Sequence, residues 1–330
     1  MEQVDDGEHP GQMSRQFNHV KNASGCNIFR LLSMFLPQKV RDLRASGIPA
    51  ILVTLGIFLS SMSSASVCED PGAVSHISAG VVNHGTSMLA HDAGRTEQKN
   101  QDLSIVANAP GNIAAGFSHE YTQFDFDGID PQTNAHVHSS AFPLHWRRSD
   151  LRIAGAPTLA ASSNVMGHPQ QYESDTFQVA LAVVWQRRLS EAVSIRYGLC
   201  GDDRFGDYRL YPAAAIEWHP HPDWKMDLGF PASRITYRIG DFLSTELRLE
   251  PDGGEWHVMN REFDAESLLI YEAWAAEWRL ALEAGSHLVI AASFGRQLRN
   301  RFEMTLQSGA RIAIESDDAN RVGAEVQWRF

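Results

Sequence analysis

Val322-Gly323-Ala324-Glu325-Val326-Gln327-Trp328-Arg329-Phe330 closes the sequence. Val322, Ala324, Val326, Trp328 and Phe330 fall on one face of a strand, and Gly323, Glu325, Gln327 and Arg329 on the other. The period is two throughout, as a pleated strand requires. A soluble protein rarely keeps so clean a split and then ends on an exposed aromatic. In a transmembrane β-barrel both features have a cause: one face meets lipid, the other a polar lumen, and the last ring sits at the membrane interface.

The same split recurs upstream. Phe177, Val179, Leu181, Val183 and Trp185 oppose Gln178, Ala180, Ala182 and Gln186. Val193, Ile195, Tyr197 and Leu199 oppose Ser194, Arg196 and Gly198, and Trp224, Met226, Leu228 and Phe230 oppose Lys225, Asp227 and Gly229. Leu243 to Leu249, Trp278 to Leu282 and Phe302 to Leu306 repeat it. Period alone does not separate a barrel from a soluble sandwich, which also alternates. Three features decide for the barrel: the terminal Phe330, strands of roughly nine to eleven residues as a tilted crossing needs, and an export signal.

That signal lies at Ile48 to Leu59, a short apolar run after Lys39, Arg41 and Arg44 and before the small residues Ser60 to Ser66. A basic start, an apolar middle and a small-residue exit describe a secretory signal peptide, with cleavage expected near Ala65 or Ser66. Met1 to about Gln38 is polar and without period. A start at Met34 would account for it. Residues 1–65 are therefore read as leader and signal peptide. Residues 66–108, rich in Gly, Ser, Ala, His and Asn, are read as a flexible periplasmic tail, and 109–330 as the barrel. With turn chemistry at Gly201-Asp202-Asp203, His219 to Asp223, Pro251 to Gly254 and Asp317 to Asn320, the stretch from 109 onward predicts about twelve antiparallel strands in an up-and-down barrel. Pro231 makes 224–239 either a hairpin or one bent strand.

Composition agrees. Lys+Arg 28 against Asp+Glu 40 gives a net charge of -12, which excludes a nucleic-acid partner needing a basic surface. Hydrophobic content is only 43%, as expected where apolar residues hide at alternate positions. Three cysteines, Cys26, Cys68 and Cys200, suggest no disulfide framework: one lies in the leader, one in a tail and one in a strand.

From Tyr211 to Val258 the elements Tyr211-Pro212, Trp224 through Phe230-Pro231, Ile235 with Tyr237, and Gly253-Gly254 with Trp256 resemble an outer-membrane β-barrel family known as domain of unknown function 6268. The closing stretch, Phe302 through Gly309 and then Val322 to Phe330, looks like that family's ending, so the resemblance spans about 110–330. It implies an outer-membrane barrel and no assigned activity, so no catalytic residue is carried over.

Three constellations could carry chemistry. His138 and Ser140, on one strand face, have the spacing of a nucleophile–base pair and resemble that of outer-membrane phospholipases, without the surrounding signature. His219-Pro220-His221 with Asp223 could bind metal, but its prolines build a turn. Asp202-Asp203-Arg204-Phe205-Gly206-Asp207 could hold Ca²⁺, but Arg204 interrupts it, and a solvated loop is expected. The reading is therefore no enzyme, no cofactor and no metal. The barrel is structural or a passive narrow pore; the alternatives are a barrel lipid hydrolase and a secreted β-sandwich binding module. The polar face supplies the expected lumen charges: Arg196, Arg248, Glu246, Glu277, Arg279, Glu283, Arg301, Glu303, Glu325 and Arg329, either paired into a filled lumen or separated in a narrow wet pore. Expected partners are outer-membrane lipid, the barrel-assembly machinery through Val326, Trp328 and Phe330, and small solutes or ions.

Overall fold

Strand pairing decides the architecture. The computed structural model describes residues 68, 75–89, 94–127, 135–147, 156–167, 176–260, 265–306, 309 and 311–330; the expected signal peptide lies outside them. Along the first half run β1 (His76–Met88), β2 (Arg95–Ala109), β3 (Ile113–Asp127), β4 (Ala135–Arg147), β5 (Ala156–Gly167), β6 (Phe177–Arg188), β7 (Val193–Asp202) and β8 (Arg209–Trp218). The second half adds β9 (Trp224–Phe230), β10 (Ser233–Ile239), β11 (Leu243–Pro251), β12 (Gly254–Asn260), β13 (Ala265–Ala284), β14 (Leu288–Leu306), β15 (Arg311–Glu315) and β16 (Ala319–Arg329). Neighbours pair antiparallel from β1 to β11, β11 then pairs β13, β13 pairs β14, β14 pairs β16, and β16 returns to β1 with Ile77 opposite Trp328. The sheet has no open edge around its girth, so backbone N–H and C=O groups are satisfied between strands, as a wall without water demands.

Two staves are interrupted strands. β11 and β12 both run along β13, the first up to Pro251 opposite Trp274 and the second from Gly254 opposite Tyr271. β15 and β16 share β14 in the same way. Counted so, the barrel has fourteen staves, against about twelve expected. The two extra staves are β1 and β2, in the segment read as a tail. Their outer halves show why they are hidden. Outward positions on β2 are Leu103, Ile105 and Ala107 near one end but Glu97, Lys99 and Gln101 near the other. Only a short apolar run marks a strand that continues well past it. Residues 224–239 form a hairpin, with a cis peptide at Phe230-Pro231.

The greasy face points away from the lumen. Phe177, Leu199, Leu210, Trp278, Phe294 and Val322 are each more than half exposed, while the alternating Ala180, Ala182, Cys200, Ala281 and Ala291 are buried. Trp328 and Phe330 are also exposed at the end that carries the short turns 110–112, 189–192, 240–242 and 285–287. A continuous apolar exterior of this size cannot rest stably against water.

One element reverses its faces. On β14 the inward positions are Val289, Ala291, Ser293, Gly295 and Gln297, then Asn300 and Phe302. The switch is a bulge at Arg299, whose φ is 57°, where the register to β13 shifts between Glu272 and Trp274. An extra residue in one strand turns every later side chain over. The Arg299 N–H is taken up by Asp318 Oδ1 at 3.2 Å, in the break between β15 and β16. Arg301 and Glu303, expected in the lumen, therefore lie outside: Arg301 pairs with Glu303 at 3.5 Å, and Arg311 joins them at 3.4 Å. Phe302, expected toward lipid, is buried inside.

Candidate functional site: the lumen

At the end opposite the short turns, the interior is dry. Pro251-Asp252-Gly253 makes a corner that sends β12 leaning inward, and His257 bridges Gly167 of β5. A side chain at Gly253 would meet the Tyr271 carbonyl oxygen at 2.5 Å and that of Arg204 at 2.8 Å, so only glycine lets the backbones approach this closely. The corner delivers Trp256 and Val258 onto Phe124, Phe126, Val137, Met166, Leu269, Tyr271 and Phe302, all buried. Phe124 is the hub: its ring lies 5.6 Å from Trp256, 5.7 Å from Tyr271 and 5.8 Å from Phe302, each edge-on. Fully burying side chains of this size contributes about 1.5–3 kcal/mol each, and edge-on ring pairs add roughly 0.5–1.5 kcal/mol.

Beneath this cluster sits a buried polar layer. Asp252 accepts from Gln297 Nε2 at 3.1 Å and Arg321 Nη1 at 2.9 Å, and Arg321 Nε reaches Glu277 at 3.0 Å. Burial of the Asp252 carboxylate is offset jointly by the Arg321 guanidinium and the Gln297 amide. Arg279 Nη2 meets Glu325 at 2.6 Å over the intervening β14. Charges are kept here by mutual pairing, since an uncompensated ion at such depth would cost several kcal/mol.

The wall from β4 to β11 is different. It encloses a cavity of about 240 Å³. Its roof is an apolar layer of Ala160, Ala180, Ala182, Val184, Cys200 and Tyr211, with Cys68 and Phe205 packed on it. Cys68 is bridged to Cys200, with Cα atoms 6.0 Å apart. The expectation of unpaired cysteines thus fails, because residue 68 lies inside the barrel beside β7 rather than in a free tail. The segment 203–208 folds over the same roof. Tyr211 donates to Asp202 at 2.8 Å, Glu255 N to Asp203 Oδ2 at 3.4 Å, and Asp202, Asp203 and Arg204 are all buried. The solvated loop expected there is instead a lid. Burial, and then the neighbouring Asp202, push the Asp203 carboxyl up to about 7.

Around the cavity Arg196 pairs with Asp227, Lys225 with Glu217 at 3.7 Å, and both Arg234 (3.5 Å) and Arg248 (2.7 Å) with Glu246. Arg248 also reaches Glu250 at 3.5 Å, and Arg329 reaches Glu283 at 3.5 Å near the short-turn end. Arg321 and Asp252 complete these networks and were missed in the sequence, and Arg204, read there only as interrupting a loop, joins them; all three lie in or beside turn residues, where no strand face was assigned.

The other two constellations resolve plainly. His219 meets Glu217 at 2.9 Å while His221 meets Asp223 at 3.1 Å, so the two imidazoles turn to different carboxylates. On the exterior, Ser140 Oγ lies 2.9 Å from His119 Nδ1, and His119 Nε2 lies 3.3 Å from His138 Nδ1. Ser140 thus partners His119, across the strands, rather than His138. Because β4 is paired on both sides, at His119 and at Val165, the Ser140 N–H is spent on the ladder and cannot steady an oxyanion.

No family model matches the chain, and no curated protein sequence matches it. Among solved structures, an outer-membrane channel from Pseudomonas putida F1 is similar at 11% identity over 79% of this chain and 100% of that one, with a TM-score of 0.42. The NanC porin gives 9% identity, 78% and 100% coverage and a TM-score of 0.34. The Pseudomonas putida toluene transporter TodX gives 8%, 82% and 96%, and 0.33. The barrel itself rests on the strand pairing described above.

Proposed function

We propose that this chain is an outer-membrane β-barrel acting as a passive narrow conduit for small solutes, closed toward the cell exterior in the present state. The observation that carries the reading is the apolar belt around a charged interior: Leu199, Trp278 and Phe294 outward, Arg196, Arg248 and Glu325 inward. That partition fits hydrocarbon outside and water within. Short turns mark the periplasmic end, so the cavity opens toward the periplasm and the aromatic cluster faces outward from the cell.

Membrane fractionation with heat-modifiable gel migration tests the barrel; a protein found in the soluble periplasm with no heat shift refutes it. Planar-bilayer conductance tests the conduit. Small, flickering openings are expected, and a trace that stays flat while the heat shift is present points to the second reading, a purely structural barrel, which the depth of the aromatic cluster favours. A lipid hydrolase would need Ser140, so loss of esterase activity in Ser140→Ala would revive it.

A further inference from the structure

We infer that the wall between β8 and β13 holds a side window, closed by the ring of Phe205, through which small apolar solutes pass between the cavity and the hydrocarbon of the membrane. The inference deepens the conduit reading, naming a solute class and an exit, and rests on it for access from the periplasm. The window follows from strand lengths. β9 and β10 have only seven residues each. β8 pairs with β9 from Ala214 to Trp218, so Arg209 to Ala213 run on past the hairpin tip with β7 as their one ladder neighbour among the described residues. On the far side β10 covers β11 only as far as Leu249, and β12 then leans inward to β5. Beyond Phe230-Pro231 the ladder is therefore broken. Pro212 stands on the β8 margin of the break, where a residue without an N–H leaves one donor fewer unpaired. The break lies within the apolar belt: Leu210 on its margin and Leu199 beside it are more than half exposed, and Phe230 and Leu249 are exposed as well. Unpaired backbone at hydrocarbon depth is costly enough that a wall built only to seal would not leave it.

One ring fills the break. Phe205 stacks on Phe230 at the hairpin tip, with centroids 5.6 Å apart, and meets Tyr211 of β8 at 5.0 Å and Trp274 of β13 at 5.9 Å, both edge-on. Its partners thus stand on three sides of the frame. Arg209 closes the fourth: its Nη2 reaches Glu272 of β13 at 2.8 Å, and its guanidinium lies over the Phe205 ring at 5.7 Å. Tyr211 belongs to the cavity roof, whereas Phe230 and Trp274 alternate with inward residues and face outward, so the ring joins the lumen to the lipid side. The loop that carries it, 203–208, is paired to no strand, so it moves without breaking a ladder. Straight toward the cell exterior a solute meets the whole aromatic cluster; sideways it meets Phe205 alone. The way from the cavity to that ring is lined by Ala182, Val184, Cys200, Tyr211 and Ala213. Such a lining gives a charged solute little to replace its water, while an aliphatic chain has no hydrogen bond to lose.

Thiol labelling of the full refolded barrel in lipid vesicles tests this, with the Cys68–Cys200 bridge intact and Ala213→Cys placing a thiol on the inner margin of the window. One reagent, N-octylmaleimide, is dissolved in the lipid; the other, a sulfonated maleimide, in the water. Phe205→Ala should speed labelling by the lipid-borne reagent about tenfold, because losing the ring's apolar contacts raises the open population. Arg209→Gln, a half-exposed position that leaves the ring in place, should speed it about threefold. The sulfonated reagent should keep its rate in both. Lipid-borne labelling that neither variant changes, in barrel that shows its heat-modifiable shift, overturns the inference. So does an equal acceleration at Ala291→Cys, an inward position on β14 far from the window, or an equal gain with the sulfonated reagent. Failure of the conduit reading shows separately, as absent conductance with the Phe205-dependent labelling retained.

Discussion

The two sides of the lumen obey different rules. Around β3, β12, β13 and β14 the interior is a dry aromatic cluster over buried ion pairs; along β4 to β11 it is an open cavity lined by paired cations and carboxylates. The first resembles the core of a soluble protein enclosed in a membrane wall, and its residues are fixed by packing. The second keeps space, and its residues are fixed chiefly by charge. On the proposed conduit reading, closing and accepting a solute fall to different sides of the barrel.

The largest effect should come from the dry side. Trp256→Ala empties the centre of the cluster and should destabilise the refolded barrel by roughly 3–5 kcal/mol in urea titration while raising bilayer conductance; unchanged conductance would show that the cluster is not the barrier. Arg321→Met leaves Asp252 and Glu277 without their cation. It should cost about 3 kcal/mol, the low end of the usual range because Gln297 still donates to Asp252.

Smaller effects belong to the corner and the lid. Gly253→Ala forces two carbonyl oxygens aside and should cost about 1–3 kcal/mol. Asp203 is raised to about 7, chiefly by burial, so its protonated form holds the 203–208 lid. That contribution is complete below 3.8 and is lost as pH rises through about 7. Wild type should lose about 2–3 kcal/mol between roughly pH 5 and 8.5, and Asp203→Asn should flatten the curve. Last, Lys225→Ala on the wet side should change stability by no more than about 0.5 kcal/mol while shifting the bilayer reversal potential toward cations. A large stability loss there would erase the contrast between the two sides.

What could be read from the sequence follows the same division. The lipid-facing pattern of β6, β7, β11 and β16 is local and period two, so Phe177, Leu199, Leu247 and Trp328 could be placed without coordinates. β1 and β2 could not, because Glu97, Lys99 and Gln101 lie outward beyond the belt, where no solvent contrast marks a face. The inward cluster was hidden for a related reason: Phe124 and Phe126 alternate with Gln123 and Asp125, and the pattern alone does not say which side is water. Arg301 and Glu303 were misassigned by a single bulge whose cause, Asp318, lies nineteen residues away. Pairing of Cys68 with Cys200, separated by 132 residues, is invisible to any local pattern.

The seam between β1 and β16 sets the order of assembly. His76 lies opposite Arg329, so the girth cannot be completed before the final strand has been made and delivered. Until then β1 presents an unpaired row of backbone donors and acceptors, a hazard in crowded surroundings and a slow, distant contact to find. We propose that the exposed aromatics of its last strand, Trp328 and Phe330, serve as the handle by which the nascent polypeptide is escorted, since they become available only when the whole cylinder is ready to zip shut.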